Sequence, residues 1–124
     1  MLSWAAVAAG GALGSALRHG VNTFFSRYGH PVPYATAAVN VVGCAVIGVL
    51  AGLLATGNLR LEPATRTFVF VGILGGFTTF SSLGLDTLTL MHGGQPVRAF
   101  ANLAFQLVFG IGAAFAGYAL AAGK

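Results

Sequence analysis

The chain has 124 residues, of which 56% are hydrophobic and 6% charged, with a formal net charge of +4. An ordinary soluble domain carries about a quarter charged residues, so this composition excludes one. Six scattered cations make no nucleic-acid patch, and the two acids, Glu62 and Asp86, lie in different segments and cannot act as a paired-carboxylate catalyst.

A membrane-spanning helix needs about 20 apolar residues, so the length allows about four spans with short loops, a single all-α integral membrane domain over residues 1–124. The first apolar stretch predicts a span from Leu2 to Phe25 that ends near Arg27. Its Met1-Leu-Ser-Trp4 start has no basic region, so a retained helix is expected here rather than a cleaved signal peptide. Arg18 sits in its later half, and a charge at the centre of a membrane costs at least ~2.5 kcal/mol. Two readings stand: a side chain that snorkels to the headgroups, or one at the mouth of an aqueous vestibule that attracts anions.

A turn follows at Tyr28-Gly-His-Pro-Val-Pro33, where two prolines stop any helix. The second span is predicted from Tyr34 to Thr56 and closed by Gly57-Asn58. Asn40 lies deep within it, where a primary amide must be hydrogen-bonded to a neighbouring helix or to a ligand. Thr36, four residues earlier, shares its helical face. Cys44 is the only cysteine, which excludes an intrachain disulfide and suits a small packing residue.

The loop Leu59 to Thr65 leads to a third apolar segment, Arg66 to Met91, interrupted by Gly75-Gly-Phe-Thr-Thr79. The run Gly75-Gly-Phe-Thr-Thr-Phe-Ser-Ser82 makes a poor lipid-facing helix. Irregular backbone at such depth survives only when buried in protein or lining a cavity. A broken helix frees carbonyls that hold a cation and N–H groups that face an anion. The plainer alternative is a polar kink satisfied by its own Thr and Ser side chains. The loop His92-Gly-Gly-Gln-Pro96 precedes a fourth span, Val97 to Ala122. Small residues recur at helix-packing spacing, as Gly10/Gly14, Gly48/Gly52, Gly72/Gly76 and Ala113/Gly117, and predict close helix contacts. With no metal-ligand cluster, catalytic triad or phosphate loop in the sequence, an enzyme is not expected.

Three stretches, Gly10-Gly-Ala-Leu-Gly-Ser-Ala-Leu-Arg18, Ala35-Thr-Ala-Ala-Val-Asn-Val-Val-Gly43 and Gly72-Ile-Leu-Gly-Gly-Phe-Thr-Thr-Phe-Ser81, together resemble the Fluc family of fluoride channels in order and spacing. The resemblance implies four-helix subunits with a broken third helix, paired in dual topology as an antiparallel homodimer in a prokaryotic plasma or inner membrane. It implies two fluoride pores and a structural, untransported Na+ at the centre of the interface. On this resemblance Asn40 is the pore asparagine, Phe80 the first pore phenylalanine, Thr36 and Ser81 polar pore-side positions, and Arg18 the vestibule arginine. Gly75 and Thr78 match the positions whose backbone carbonyls hold the sodium. Leu83 stands where the family usually has a second phenylalanine, and Gln106 and Gly110 stand where its fourth helix often has serines.

These groups suit a small, strongly hydrated anion. Conduction needs sites that are favourable yet weak, and neutral N–H and O–H donors or the positive edge of Phe80 supply them. Leu83 has no such edge. Three rival readings differ in kind: a dual-topology proton-coupled drug exporter, a non-transporting scaffold, and one member of a heteromeric channel pair. An exporter needs a membrane-embedded carboxylate, and only Asp86 is available. Arg60, Arg66 and Lys124 fall on one side and Arg18, Arg27 and Arg98 on the other, a tally of three against three that favours neither orientation.

Overall fold

A computed structural model describes residues 1–123; Lys124, counted in the charge tally, lies outside the described residues. The elements in order are α1 (Leu2–Arg27), α2 (Val32–Ala55), α3 (Pro63–Arg66), a π-helical stretch π1 (Thr67–Leu74), α4 (Gly75–Phe77), α5 (Phe80–His92) and α6 (Pro96–Ala122). No strand occurs among the described residues. Prolines open α2, α3 and α6, where the missing N–H would have no helical partner in any case. The turns that follow α1, α2 and α5 each use a glycine at positive φ, Gly29 at 74°, Gly57 at 75° and Gly94 at 71°.

From α3 to α5 the chain forms one broken helix, Pro63–His92. The interruption is narrower than the sequence suggests. Gly75, Gly76 and Phe77 stay helical, and only Thr78 (φ −78°, ψ 158°) and Thr79 (φ −156°, ψ 117°) are extended. β-Branched residues suit extended backbone, and Thr79 restarts the helix by accepting the Ser82 N–H on its hydroxyl at 3.1 Å. The π-helical register of π1 has no counterpart in the sequence reading. Its run Thr-Phe-Val-Phe-Val-Gly-Ile-Leu is apolar almost throughout, so no periodicity separates one helical register from another.

Glycines set the packing. A methyl group at Gly10 would lie 2.9 Å from Gly72 Cα, and one at Gly76 would lie 2.7 Å from Gly11 O, so α1 rests on π1 and α4 backbone to backbone. Gly48 and Gly52 do the same for α2 on α6: added methyls would meet Ala114 Cα at 2.9 Å and Tyr118 O at 2.7 Å. Gly117 returns the contact, since a methyl there would stand 2.6 Å from Ala45 O. These contacts run α1 parallel to the broken helix and α2 parallel to α6. They gather the end of α1, the start of α2, the end of α5 and the start of α6 at one pole.

Side-chain size is arranged inside out. The buried apolar residues are mostly small, Ala35, Ala37, Val39 and Ala99 among them, while Trp4, Leu17, Phe100, Phe109, Phe115 and Leu120 face outward. Water would not tolerate such a surface, but hydrocarbon does, and there small residues let helices approach. Among the described residues three helices are long and apolar enough to cross a membrane: Val32–Ala55, the broken Pro63–His92 and Pro96–Ala122. With 26 residues α1 has the length, but Arg18, His19, Asn22 and Thr23 make it less apolar than the other three.

Candidate functional site

The break places two extended residues beside Asn40 of α2. Asn40 Oδ1 accepts the Thr79 N–H at 2.8 Å, and Asn40 Nδ2 donates to Thr79 O at 3.1 Å. The side-chain amide thus replaces a strand partner for one peptide unit. The second Nδ2 hydrogen goes to Gln106 Oε1 of α6 at 2.7 Å. Of the two fates open to a buried amide, this one is structural at three points, and both Asn40 donors are engaged.

This bonding explains which carbonyls the break releases. In a continuous helix the Thr79 N–H would bond Gly75 O and the Ser82 N–H would bond Thr78 O. Here the first goes to Asn40 and the second to the Thr79 hydroxyl. Gly75 and Thr78 are the two residues whose carbonyls the sequence resemblance assigns to sodium. Two neutral carbonyl oxygens freed of helical partners are hard ligands of the kind an alkali or alkaline-earth cation takes, so the donor set fits the ion. Thr78 is held at its other end by donation to Leu74 O, 3.0 Å from the amide and 2.9 Å from the hydroxyl.

A cavity of about 350 Å³ opens beside the break and brings together Asn40, Gly75, Thr78, Phe80 and Leu83 with Thr79, Gln106 and Gly110. Its lining holds no charged side chain. Phe80 is 80% exposed and Leu83 only 4%, so the ring projects from the subunit while the leucine closes the cavity from within. Ser81 is exposed and shares a 3.1 Å hydrogen bond with the Thr79 hydroxyl, which also donates to Ser82 Oγ at 3.1 Å.

Ser81, though bonded to the break, does not line the cavity, and two further expected residues lie away from it. Thr36 is buried one turn before Asn40, where its side chain bears on the Asp86 carboxyl of α5. Arg18 is half-buried in the later half of α1, outside the cavity. Asp86, the carboxylate an exporter would need, is itself buried, and its Oδ2 has no hydrogen-bond partner among the described residues.

The sequence reading overlooked Thr79 as a capping and pairing residue, the bonding role of Gln106, and Asn102, whose Oδ1 accepts from Gln106 Nε2 at 3.0 Å. A signal for the last two existed. Asn102 and Gln106 are a polar pair four residues apart on an otherwise apolar helix, and therefore on one face.

Residues 5–118 match the family described as CrcB-like protein, Camphor Resistance (CrcB). The chain is 43% identical over 118 residues to a protein of Paracoccus denitrificans, covering 94% of this chain and 92% of the other. It is 44% identical over 113 residues to one from Nitrobacter winogradskyi, covering 90% and 89%. A third, from Agrobacterium fabrum, is 45% identical over 122 residues, covering 97% and 96%. All three relatives are named fluoride-specific ion channel FluC.

Proposed function

This chain belongs to the CrcB-like family, and from that premise we propose that it is a fluoride-selective passive ion channel, which lets fluoride leave the cytoplasm and so lowers its toxicity. It is a multi-pass membrane protein and a channel rather than an enzyme. The observation that carries the reading is the 43–45% identity, running over nearly the whole of both chains, to proteins named as fluoride channels.

The working unit is four spans per subunit, α1 included, paired with an inverted copy as an antiparallel homodimer in the lipid bilayer. The exposed Phe80 and Gly75 support this pairing, because they put the break on the outer surface where a second copy can meet it. At that meeting Gly75 and Thr78 of each subunit would offer four carbonyl oxygens to a structural Na+. The anion path runs past Phe80, Ser81 and Thr36, with Arg18 at its vestibule. Asn40 serves fluoride by yielding the N–H it otherwise gives Gln106. Leu83, at a position usually aromatic in the family, supports a second reading in which a paralogue supplies the missing ring as a heteromeric partner.

The purified chain alone, sealed in liposomes loaded with potassium fluoride, should release fluoride to an electrode once a counter-ion path is provided. Release should fail in rigorously sodium-free solution and return with sodium on adding it. An inert homomeric preparation that conducts only with a co-purified paralogue would install the heteromeric reading. Full activity without sodium would remove the cation from the model.

A further inference from the structure

Two exposed aromatic residues mark where α1 meets the edges of a bilayer. Trp4 is 79% exposed near its start, and Tyr28 is 65% exposed just past its end. At 1.5 Å per residue the two stand about 36 Å apart, between the ~30 Å of a hydrocarbon core and the ~40–45 Å of a whole bilayer. Tryptophan and tyrosine favour that interfacial level. Arg27 therefore sits at the headgroups beside Tyr28, and Asn22 lies about 9 Å below Tyr28, near the top of the hydrocarbon.

Below this level the face of α1 is apolar and notched. Leu13, Ala16, Leu17 and Phe24 wall an open groove at Gly20, where an added methyl would meet nothing within 4 Å. Above it Asn22, Thr23, Ser26 and Arg27 line a polar hollow together with Val32. Ala16, Gly20, Thr23 and Arg27 follow one another at spacings of four, three and four, so groove and hollow lie in line on one helical face. Carbonyls at a helix C-terminus would repel an anion, but those of Phe24, Phe25 and Ser26 already accept from the N–H groups of Tyr28, His30 and Gly29. No acid of the subunit balances Arg27, since Asp86 is buried on α5 and Glu62 precedes α3 at the other pole.

We propose that this face of α1 binds one anionic phospholipid, with its phosphate on Arg27 and Ser26, an ester oxygen on the Asn22 amide and one acyl chain along the Gly20 groove. This rests on the reading of α1 as a fourth span and is independent of what the pore passes. A polar mouth set directly above an apolar groove has the profile of a headgroup above its chain. Arg27 selects the anionic class, because a zwitterionic headgroup cancels most of what the guanidinium gains from the phosphate. In an inverted pair the two sites would lie in opposite leaflets.

The test uses the full chain in vesicles of phosphatidylcholine and phosphatidylglycerol, with Phe24→Trp as a reporter in a Trp4→Phe background and one lipid or the other brominated on its chains. Brominated phosphatidylglycerol should quench the indole with about fivefold higher affinity than brominated phosphatidylcholine, the ratio that one basic side chain near an anionic surface gives. Arg27→Gln should abolish this preference, whereas Arg98→Gln, an equal loss of charge at the same pole, should leave it. Gly20→Leu should weaken quenching by both lipids, because it fills the groove. If Arg27→Gln fails to fold, the preference in the chain with all its charges still decides. Displacement of the lipid by inorganic phosphate would make this a free-anion site and overturn the lipid. Equal quenching by the two lipids would overturn the site and leave α1 a span. Quenching by aqueous iodide in place of either lipid would overturn the span as well. An indole screened from lipid and iodide alike would mean that the inverted copy covers this face, with its Glu62 level with Arg27, and would overturn the site.

Discussion

Asn40 is held by three hydrogen bonds, two to the Thr79 backbone and one to Gln106. Asn40→Asp keeps the shape, but turns the donors to Thr79 O and Gln106 Oε1 into an acceptor facing acceptors. Each mismatch in a buried setting costs about 1–3 kcal/mol, and the added charge repels an anion. Fluoride flux is expected to fall at least tenfold, with the purified protein eluting at the same volume as the unmodified chain. Undiminished flux in Asn40→Asp liposomes would leave this residue a purely structural tie. Leu83→Phe is expected to go the other way. Leu83 lines the cavity of about 350 Å³, which gives a ring somewhere to turn, so flux should not drop despite an overpacking cost of about 1–3 kcal/mol at worst. Joint loss of melting temperature and flux would show surroundings fitted to leucine.

Helices meet through backbone at the glycine positions, and this makes a sharp contrast within one chain. A methyl at Gly48 runs into the Ala114 backbone, whereas one at Gly20 meets nothing within 4 Å. Gly48→Ala should lower the detergent melting temperature by the equivalent of about 1–3 kcal/mol, and Gly20→Ala should leave it unchanged or raise it. Equal behaviour of the two would mean that α2 and α6 do not pack as described. The sequence already announced much of this. The ends of the helices followed from Pro33, Pro63 and Pro96 and from the turn glycines, and the interfaces from glycines four residues apart. Two features did not. The π-helical register is invisible in an all-apolar run, and the narrowing of the break to Thr78–Thr79 depends on a hydrogen bond from a residue 39 positions away. The site shows the same division. Asn40 and Thr78 stood out as polar residues in apolar sequence and Phe80 through the resemblance alone, but the bond from Asn40 to Gln106 arises only when α2 and α6 lie side by side.

At the scale of the molecule, Arg18, Arg27 and Arg98 belong to one pole and Arg60 and Arg66 to the other. Charge gives the subunit little reason to insert one way up, and an antiparallel pair needs both ways in equal number. Cysteines introduced as Asn58→Cys and His92→Cys in a Cys44→Ala background should each label from both sides of a sealed membrane. His92 serves better than Gly94, whose φ of 71° a side chain would strain. One-sided labelling at each position would sink the inverted pair and the shared sodium with it. The inside-out arrangement of side-chain size has a consequence for how such a sequence drifts. In a water-soluble protein the large buried residues resist change and the small surface ones wander. Here Phe115 and Leu120 point outward, while Gly48, Gly52 and Gly117 hold the interior. A lineage can exchange Phe, Leu and Val across its exterior with little effect, yet it cannot add a single carbon at Gly48, Gly52 or Gly117 without pushing two helices apart. The least replaceable positions of the interior are then the ones that carry no side chain at all.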